Sequence, residues 1–323
     1  MIPVKPLSVG LVGTGTHGAR YARHLLDDIP GLRLSAICRR SPEVKIQAET
    51  WGVRGYTRWH ELVEDPDVDA VIAVTTPNLH ASIAEACVRV RKPLLLEKPL
   101  SVDVSSASDI VERFTAASLP LTVAQTLRYN TVISGLRREY SRVGDLFFFL
   151  ANHRLESSQH PWMTDPQLAG GGVILHTAVH LFDALRFITG KEIRRVRAEM
   201  AQRHNPNLED LFMALVEMED GTPGMVDASK VGPVRTGRYE FVGTGGQLQG
   251  DQIHGLLEFI RGKDLQSLPV AEPVSTIIPL LQDWEAYLRG NGTNPIPGEE
   301  GLAAIRICEA CRKSAIENRS VDV

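Results

Sequence analysis

The chain is poor in the features that mark the narrower protein classes. It has four cysteines, too few for a disulfide framework, and Cys38 and Cys87 fall in stretches that read as a buried strand and a helix, so reduced thiols are expected. Cys308 and Cys311 form a CxxC, but no second pair exists to complete a zinc site, and they read as packing residues of a helical run over 300–316. Basic excess is missing too: 35 Lys and Arg stand against 39 Asp and Glu, a formal net charge of -4, which disfavours nucleic acid and anionic membranes as partners. No apolar run approaches the roughly 20 residues of a membrane span, and the N-terminus enters a strand-like stretch without a signal-peptide pattern, so a cytoplasmic protein is expected. What is present is an ordinary globular composition, 43% hydrophobic and 23% charged, over 323 residues. That length suits two domains, each with its own core.

The first third alternates strand and helix signals. An apolar strand at 7–12 runs into Gly13, Thr14, Gly15, Thr16, His17 and Gly18, a helical pattern follows over 19–26, and a second strand at 32–38 completes a βαβ unit. In a GxGxxG so placed, the first glycine allows the tight turn and the second lets the backbone approach a pyrophosphate. The third lets helix and strand pack closely, and the helix N-terminus offers donors to the anion. An acid about 20 positions further on would hold the ribose 2′-hydroxyl of NAD, and none is there. The chain instead reads Cys38, Arg39, Arg40, Ser41. Two guanidiniums and a hydroxyl suit a 2′-phosphate, so NADP is expected over NAD, with a merely solvated arginine pair as the alternative.

Further βα units follow. Thr75, Thr76, Pro77, Asn78 and His80 stand at the carboxyl end of a strand over 70–74, the edge where open parallel sheets bind ligands, and are expected to line the dinucleotide. A strand at 93–96 delivers Glu97, Lys98 and Pro99 to the same edge, where Lys98 is placed to donate to a substrate oxygen. A helix over 104–117 and a strand over 121–125 finish the sheet, with a boundary near 124. Gln125, Arg128 and Tyr129 follow it at the domain junction. The remainder reads as strands at 146–151 (continued by Asn152 and His153), 193–203, 210–218, 224–230, 239–242 and 247–249, with hairpin turns at Asp220-Gly221 and Gly245-Gly246, and terminal helices at 276–288 and 300–317.

Within this second half, residues 170–183 read GGGVILHTAVHLFD, where the three glycines are expected to let the backbone come close to a ligand. His176 and His180 are four apart, one helical turn, among apolar neighbours, with Asp183 three residues on. A histidine so placed can exchange a proton near neutral pH. On this stretch alone, a buried helix with satisfied histidines competes with that reading, and a shared metal ion ranks last, since no HExxH glutamate accompanies the pair. The loop over 157–165 carries His160, Pro161 and Trp162, the tryptophan being either a lining of the site or a loop anchor.

These motifs together, the GxGxxG start, TPN with a histidine two residues later, EKP, and GGG followed by a histidine on a helix, resemble the glucose-fructose oxidoreductase, inositol dehydrogenase and MocA family (Gfo/Idh/MocA) nearly end to end. The resemblance implies a Rossmann domain with a doubly wound parallel sheet over 1–124. It implies an α+β substrate-binding and oligomerisation domain over 125–323 with a largely antiparallel open sheet. The activity implied is hydride transfer between a nicotinamide cofactor and an alcohol or carbonyl carbon of a sugar, cyclitol or related small polyol or diol. By position, Lys98 matches the family's catalytic lysine and His180 its catalytic histidine. Gln125 and Arg128 are expected near the cofactor, and Tyr129, His153, His160, Trp162 and Asp183 near the substrate. A homo-oligomer, dimer or tetramer, through the C-terminal sheet is expected. One departure stands out: His176 occupies the place of the family's aspartate, and Ala178 that of a usual glycine. A histidine cannot serve as the anionic partner in a proton relay. A non-catalytic NADP-binding regulator and a nicotinamide-dependent glycoside hydrolase therefore remain rival expectations.

Overall fold

A computed structural model describes residues 5–157 and 160–323, so positions 158 and 159 of the 157–165 loop lie outside the described residues. The chain divides into two units, one of residues 1–125 with 275–302, the other of 126–274 with 303–323.

The first unit is a six-stranded sheet of β1 (Leu7–Val12), β2 (Leu32–Cys38), β3 (Arg54–Tyr56), β4 (Ala70–Ala73), β5 (Leu94–Glu97) and β6 (Leu121–Ala124). Their spatial order is β3-β2-β1-β4-β5-β6, and every pairing is parallel. The central strands are covered on both faces, which is why they read as continuous apolar runs. The order reverses between β1 and β4, so the loops leaving them diverge and open a crevice at the carboxyl edge. Three glycines set its floor. Gly13 has φ +92°, and a Cβ there would lie 2.1 Å from the Val74 carbonyl oxygen. At Gly18 a Cβ would lie 1.8 Å from the Gly13 carbonyl oxygen, whereas at Gly15 it would meet nothing within 4 Å among the described residues.

The expected boundary, 1–124 against 125–323, needs correction, because 275–302 returns to the first unit. Arg289 donates to the Gly31 carbonyl (2.9 Å), Asn294 donates to that of Leu121 (2.7 Å) and accepts from Thr122 Oγ1 (2.8 Å), and Val123 N–H donates to Ile296 O (2.9 Å). The helix Ile277–Leu288 buries Ile277, Leu280, Leu281 and Trp284. These pairings span more than 150 residues of sequence and leave no local signature.

The second unit carries β7 (Leu146–Arg154), β8 (Ile193–Ala201), β9 (Leu211–Met218), β10 (Pro223–Ser229), β11 (Thr236–Gly243), β12 (Gly246–Asp251), β13 (Leu256–Arg261), β14 (Asp264–Ser267) and β15 (Val321–Asp322). The order is β14-β13-β12-β11-β7-β10-β9-β8-β15. Within this second sheet, only the β7–β10 pair is parallel among the described strands. One face alternates Phe149, Ala151, Phe212, Ala214, Val216, Tyr239 and Phe241 inward, where they share a core with Val179, Phe182 and Leu185 of the helix Val179–Thr189. The helical run Pro166–Thr189 is, by length and apolar composition, long enough to cross a membrane, contrary to the expectation from sequence; 83% of its apolar window is buried inside the protein, so its hydropathy belongs to a core element. Cys308 and Cys311 pack there as free, buried thiols, Cys308 donating to the Ile174 carbonyl. The helix Thr131–Glu139 has no counterpart among the elements expected from sequence, although Asn130 is a legible cap whose side chain accepts from the N–H groups of Val132 and Ile133.

The glycine geometry gives a test. Gly18→Ala forces two backbones apart and should destabilise the first unit by about 1–3 kcal/mol. Gly15→Ala, which meets open space, should leave thermal unfolding near wild type. Thermal melts of the two variants check the contrast.

Candidate functional site

In the first unit, the expected residues gather at the carboxyl edge. The helix Thr16–Asp27 starts at Gly15 without a side-chain cap and with no acid in its first turn, so its leading N–H groups and the positive end of its dipole face the open space at Gly15. That space and those donors fit the pyrophosphate of a dinucleotide. Thr14 faces the other way, buried, its hydroxyl donating to Gln47 Oε1 (2.6 Å). After β2, Arg39 pairs with Glu43 (3.1 Å), Arg40 is exposed, and Ser41 Oγ accepts from the Glu43 N–H (3.4 Å). After β4, Thr76 Oγ1 donates to Asn78 Oδ1 (2.7 Å), fixing the turn around buried Pro77.

His80 needs correction as a cofactor contact. It is fully buried, with Nδ1 against the Pro99 carbonyl (2.9 Å) and Nε2 against that of Thr75 (3.3 Å). It braces the two loops, and burial holds its pKa below the ordinary histidine value although the carbonyls pull the other way. At the end of β5, Glu97 is 5% exposed. Its Oε1 accepts from Tyr21 OH (2.7 Å) and lies 2.8 Å from His17 Nε2, while Oε2 accepts the Lys98 N–H (3.0 Å). Burial pushes this carboxyl up, but His17, Lys98 and Tyr21 outweigh it and leave the pKa below the usual range. Burial also lowers the Lys98 ammonium, opposed by Glu97. The Lys98–Pro99 peptide is cis. At the end of β6, buried Gln125 has neither amide atom bonded among the described residues, an amide placed to be satisfied by a ligand.

In the second unit, the triple glycine serves a different purpose from the expected approach of a ligand. A Cβ at Gly172 would lie 2.0 Å from the Glu209 carbonyl oxygen. That oxygen accepts from Val173 N–H (2.8 Å), and Glu209 Oε1 accepts from the N–H groups of Gly172 (2.9 Å) and Ile174 (3.3 Å). A buried helix start is thus capped by a glutamate from a neighbouring loop, which the spacing of residues 170–183 does not reveal.

The chain next makes a π-helical turn, Ile174–Ala178, before the helix Val179–Thr189. His176, 7% exposed, sets Nε2 3.0 Å from the Ala169 carbonyl, and Trp162 meets its ring edge-on, centroids 5.4 Å apart. A carbonyl can only accept, so the neutral imidazole carries its proton on Nε2 and leaves Nδ1 as an acceptor. His176 also borders a cavity of about 90 Å³ with Val173, His204, Asn205 and Lys230. The ring beside His180 is that of His153 on β7, centroids 6.3 Å apart. His160 is exposed ahead of the turn Pro161–Thr164, and Tyr129 closes the turn Thr126–Tyr129.

Asp183 and Arg128 need correction together. Asp183 is wholly buried and forms a two-pronged ion pair with Arg128, Nη2 to Oδ1 at 2.6 Å and Nε to Oδ2 at 2.9 Å. The guanidinium also lies 5.3 Å from the Phe187 ring centroid. Charge withdrawn from water is matched here within the unit, so these two residues hold the helix Val179–Thr189 in place, and Asp183 does not present its carboxylate to substrate. Buried Tyr239 lies close enough that its pKa is raised, by burial first and by Asp183 second. Glu209, Lys230 and Tyr239 are site neighbours that sequence reasoning missed.

Comparison with known proteins gives the family of the chain. Residues 7–125 match the oxidoreductase family with an NAD-binding Rossmann fold, and residues 139–249 match the GFO/IDH/MocA C-terminal domain. The chain is similar to the myo-inositol 2-dehydrogenase of Thermotoga maritima, 24% identical over 98% of each chain. It is also similar to the D-apiose dehydrogenase of Rhizobium rhizogenes, 26% identical over 98% of this chain and 97% of that one. Among solved structures, a levoglucosan dehydrogenase in complex with NADH and levoglucosan superposes with a TM-score of 0.88 at 21% identity, covering 99% of this chain and 100% of that one. With both units matched, the chain belongs to the Gfo/Idh/MocA family of oxidoreductases.

Proposed function

We propose that this oxidoreductase prefers NADP and moves hydride between nicotinamide and an alcohol or carbonyl carbon of a sugar, cyclitol or related small polyol or diol. The observation that carries the reading is the grouping at the carboxyl edge of the first sheet, where Glu97 joins the glycine loop to Lys98. When bound, the dinucleotide supplies or accepts the hydride. The N–H groups after Gly15 would hold its pyrophosphate, Arg39, Arg40 and Ser41 its 2′-phosphate, and Gln125 a polar edge. Lys98 would donate to the substrate oxygen as charge develops there. His180 would move the hydroxyl proton. His176, its tautomer set by Ala169, would act as a neutral partner accepting through Nδ1.

Arg39 already has Glu43 as a partner, but an exposed pair of that kind is worth about 0–1 kcal/mol, against roughly 1.5–3 kcal/mol for a charge-assisted contact to phosphate. The phosphate wins. Replacing both Arg39 and Arg40 with alanine should therefore weaken NADP binding at least about tenfold and leave NAD binding nearly unchanged. Titration of the double variant with both dinucleotides checks this, and equal losses would remove the basis for NADP.

A substrate panel of sugars, cyclitols, diols and aldehydes, followed by reduced-nicotinamide absorbance, tests the activity. With an accepted substrate, Lys98→Met should cut turnover by orders of magnitude at an unchanged melting temperature. His180→Ala should abolish turnover while dinucleotide binding survives, and His176→Ala should only slow it. Lys98 works protonated, and burial lowers its pKa below 10.5, so activity should fall as pH rises through that lowered value. Residual activity in Lys98→Arg should lack this limb, since a guanidinium stays charged.

We also infer a homo-oligomer through the outer face of the second sheet. Met213, Leu215 and Met225 are each more than half exposed, and Met225 lies directly across the β9–β10 ladder from Leu215. An apolar stripe on a sheet face marks an interaction surface. Leu215→Glu with Met225→Glu should lower the mass measured by sedimentation.

A further inference from the structure

We propose that Gln47 is a positioning residue for dinucleotide choice: its amide clasps the glycine loop to the helix Val44–Trp51 and so fixes the spacing between the pyrophosphate site and the arginines that would hold a 2′-phosphate. The inference rests on the NADP reading above and adds to it the part that keeps the two contact points in register. The clasp runs both ways. Thr14 Oγ1 donates to Gln47 Oε1 (2.6 Å), and Gln47 Nε2 donates to the Thr14 carbonyl (3.4 Å). An amide can do both at once because it carries a donor and an acceptor on one carbon. Thr14 is 2% exposed, so little water can replace the amide if it is removed.

The helix Val44–Trp51 is lightly anchored otherwise. Of its eight residues Val44 and Ala48 are buried, its start has no side-chain cap, and Ile46 is 70% exposed. The two buried residues pack on the edge strand β3 at Gly55, where a Cβ would lie 2.8 Å from Ala48 Cβ and 3.2 Å from the Val44 carbonyl oxygen. On the other side of the arginines, the Gly13 N–H donates to the Cys38 carbonyl (2.9 Å). The segment 39–43 is thus tied to the glycine loop at both ends, through Cys38 before it and Gln47 after it. Within the segment, Arg39 pairs with Glu43 (3.1 Å), Ser41 Oγ accepts from the Glu43 N–H (3.4 Å), and the Ser41 carbonyl accepts from the Val44 N–H (3.1 Å). These bonds make it move with the helix. The distance between pyrophosphate and 2′-phosphate is set by the dinucleotide itself, so NADP gains both contacts in full only where the protein presents the two sites at that spacing. NAD has no 2′-phosphate to misplace.

The test is the ratio of the NADH to the NADPH dissociation constant, from fluorescence titration of the full chain. Gln47→Met keeps the length of the side chain and loses both bonds, so NADPH should bind on the order of fivefold more weakly while NADH stays within about twofold of wild type. Thr14→Val removes the hydroxyl and should lower the ratio in the same direction, which keeps the test open should Gln47→Met fail to fold. Thr14→Ser keeps the hydroxyl and should hold the wild-type ratio. With Arg39 and Arg40 both replaced by alanine nothing is left to position, so adding Gln47→Met should weaken NADPH no further. Equal losses for the two dinucleotides in Gln47→Met and Thr14→Val, or an undiminished effect of Gln47→Met without the arginines, would overturn the inference and leave the NADP reading intact. A wild type that binds both dinucleotides alike would overturn the NADP reading and this inference with it.

Discussion

A carboxylate withdrawn from water must be met by donors on every side, and the candidate sites of this protein are assembled around carboxylates that are. In the first unit it is Glu97, whose two oxygens take a phenol, an imidazole and a backbone amide. Because those donors come from the helix after the glycine loop and from the lysine after β5, satisfying one charge fixes the two segments the proposed chemistry needs. In the second unit Asp183 takes both prongs of Arg128, and Glu209, only half-buried, takes two amides at the start of the π turn. Removing a single partner of Glu97 or Asp183 leaves a buried charge unmatched, at a cost of about 3–5 kcal/mol. These residues are therefore bound to the positions of their neighbours more tightly than packing alone would require.

How much of this can be read from sequence depends on the range of the interactions. The turn at Gly13, the close approach at Gly18 and the open space at Gly15 are fixed within a βαβ unit, and GxGxxG reports all three. The strand ends carrying Thr75 and Lys98 are similarly local, since a parallel strand buried on both faces is a visible apolar run and the residues after it stand at the carboxyl edge. The Arg128–Asp183 pair is separated by 55 residues, and either residue alone reads as an available polar group. The return of 275–302 depends on Asn294 and Arg289 finding carbonyls at Leu121 and Gly31. The strands β13 and β14 escape the sequence pattern, although Leu256–Arg261 buries alternate residues; they lie at the far edge of the sheet, where β14 is exposed throughout and hydrophobic alternation weakens.

The triple glycine shows how a correct motif can carry a mistaken physical reason. Glycine permits close approach, but the group that a Cβ at Gly172 would meet is the backbone of Glu209, and the two residues together border the cavity beside His176. The motif marks the place where a loop and a buried helix start are joined. That junction in turn sets the π turn on which His176 is presented, so the glycines bear on the chemistry indirectly, through the geometry of the residues after them.

His176 is the point where chain and family part, and the structure narrows what the replacement can do. An aspartate there would be an anion with only acceptors, and the Ala169 carbonyl now facing His176 Nε2 at 3.0 Å would be an acceptor facing acceptors. The imidazole turns that contact into a hydrogen bond. It brings no negative charge toward His180, and the ring next to His180 is the imidazole of His153, which brings none either. The carboxylate three residues on, Asp183, is already matched by Arg128. Burial disfavours a charged imidazole and a nearby anion favours it, so exchanging a carboxylate for His176 takes away one source of stabilisation for positive charge in this part of the unit, and the hydrogen bond to Ala169 is what the exchange supplies instead.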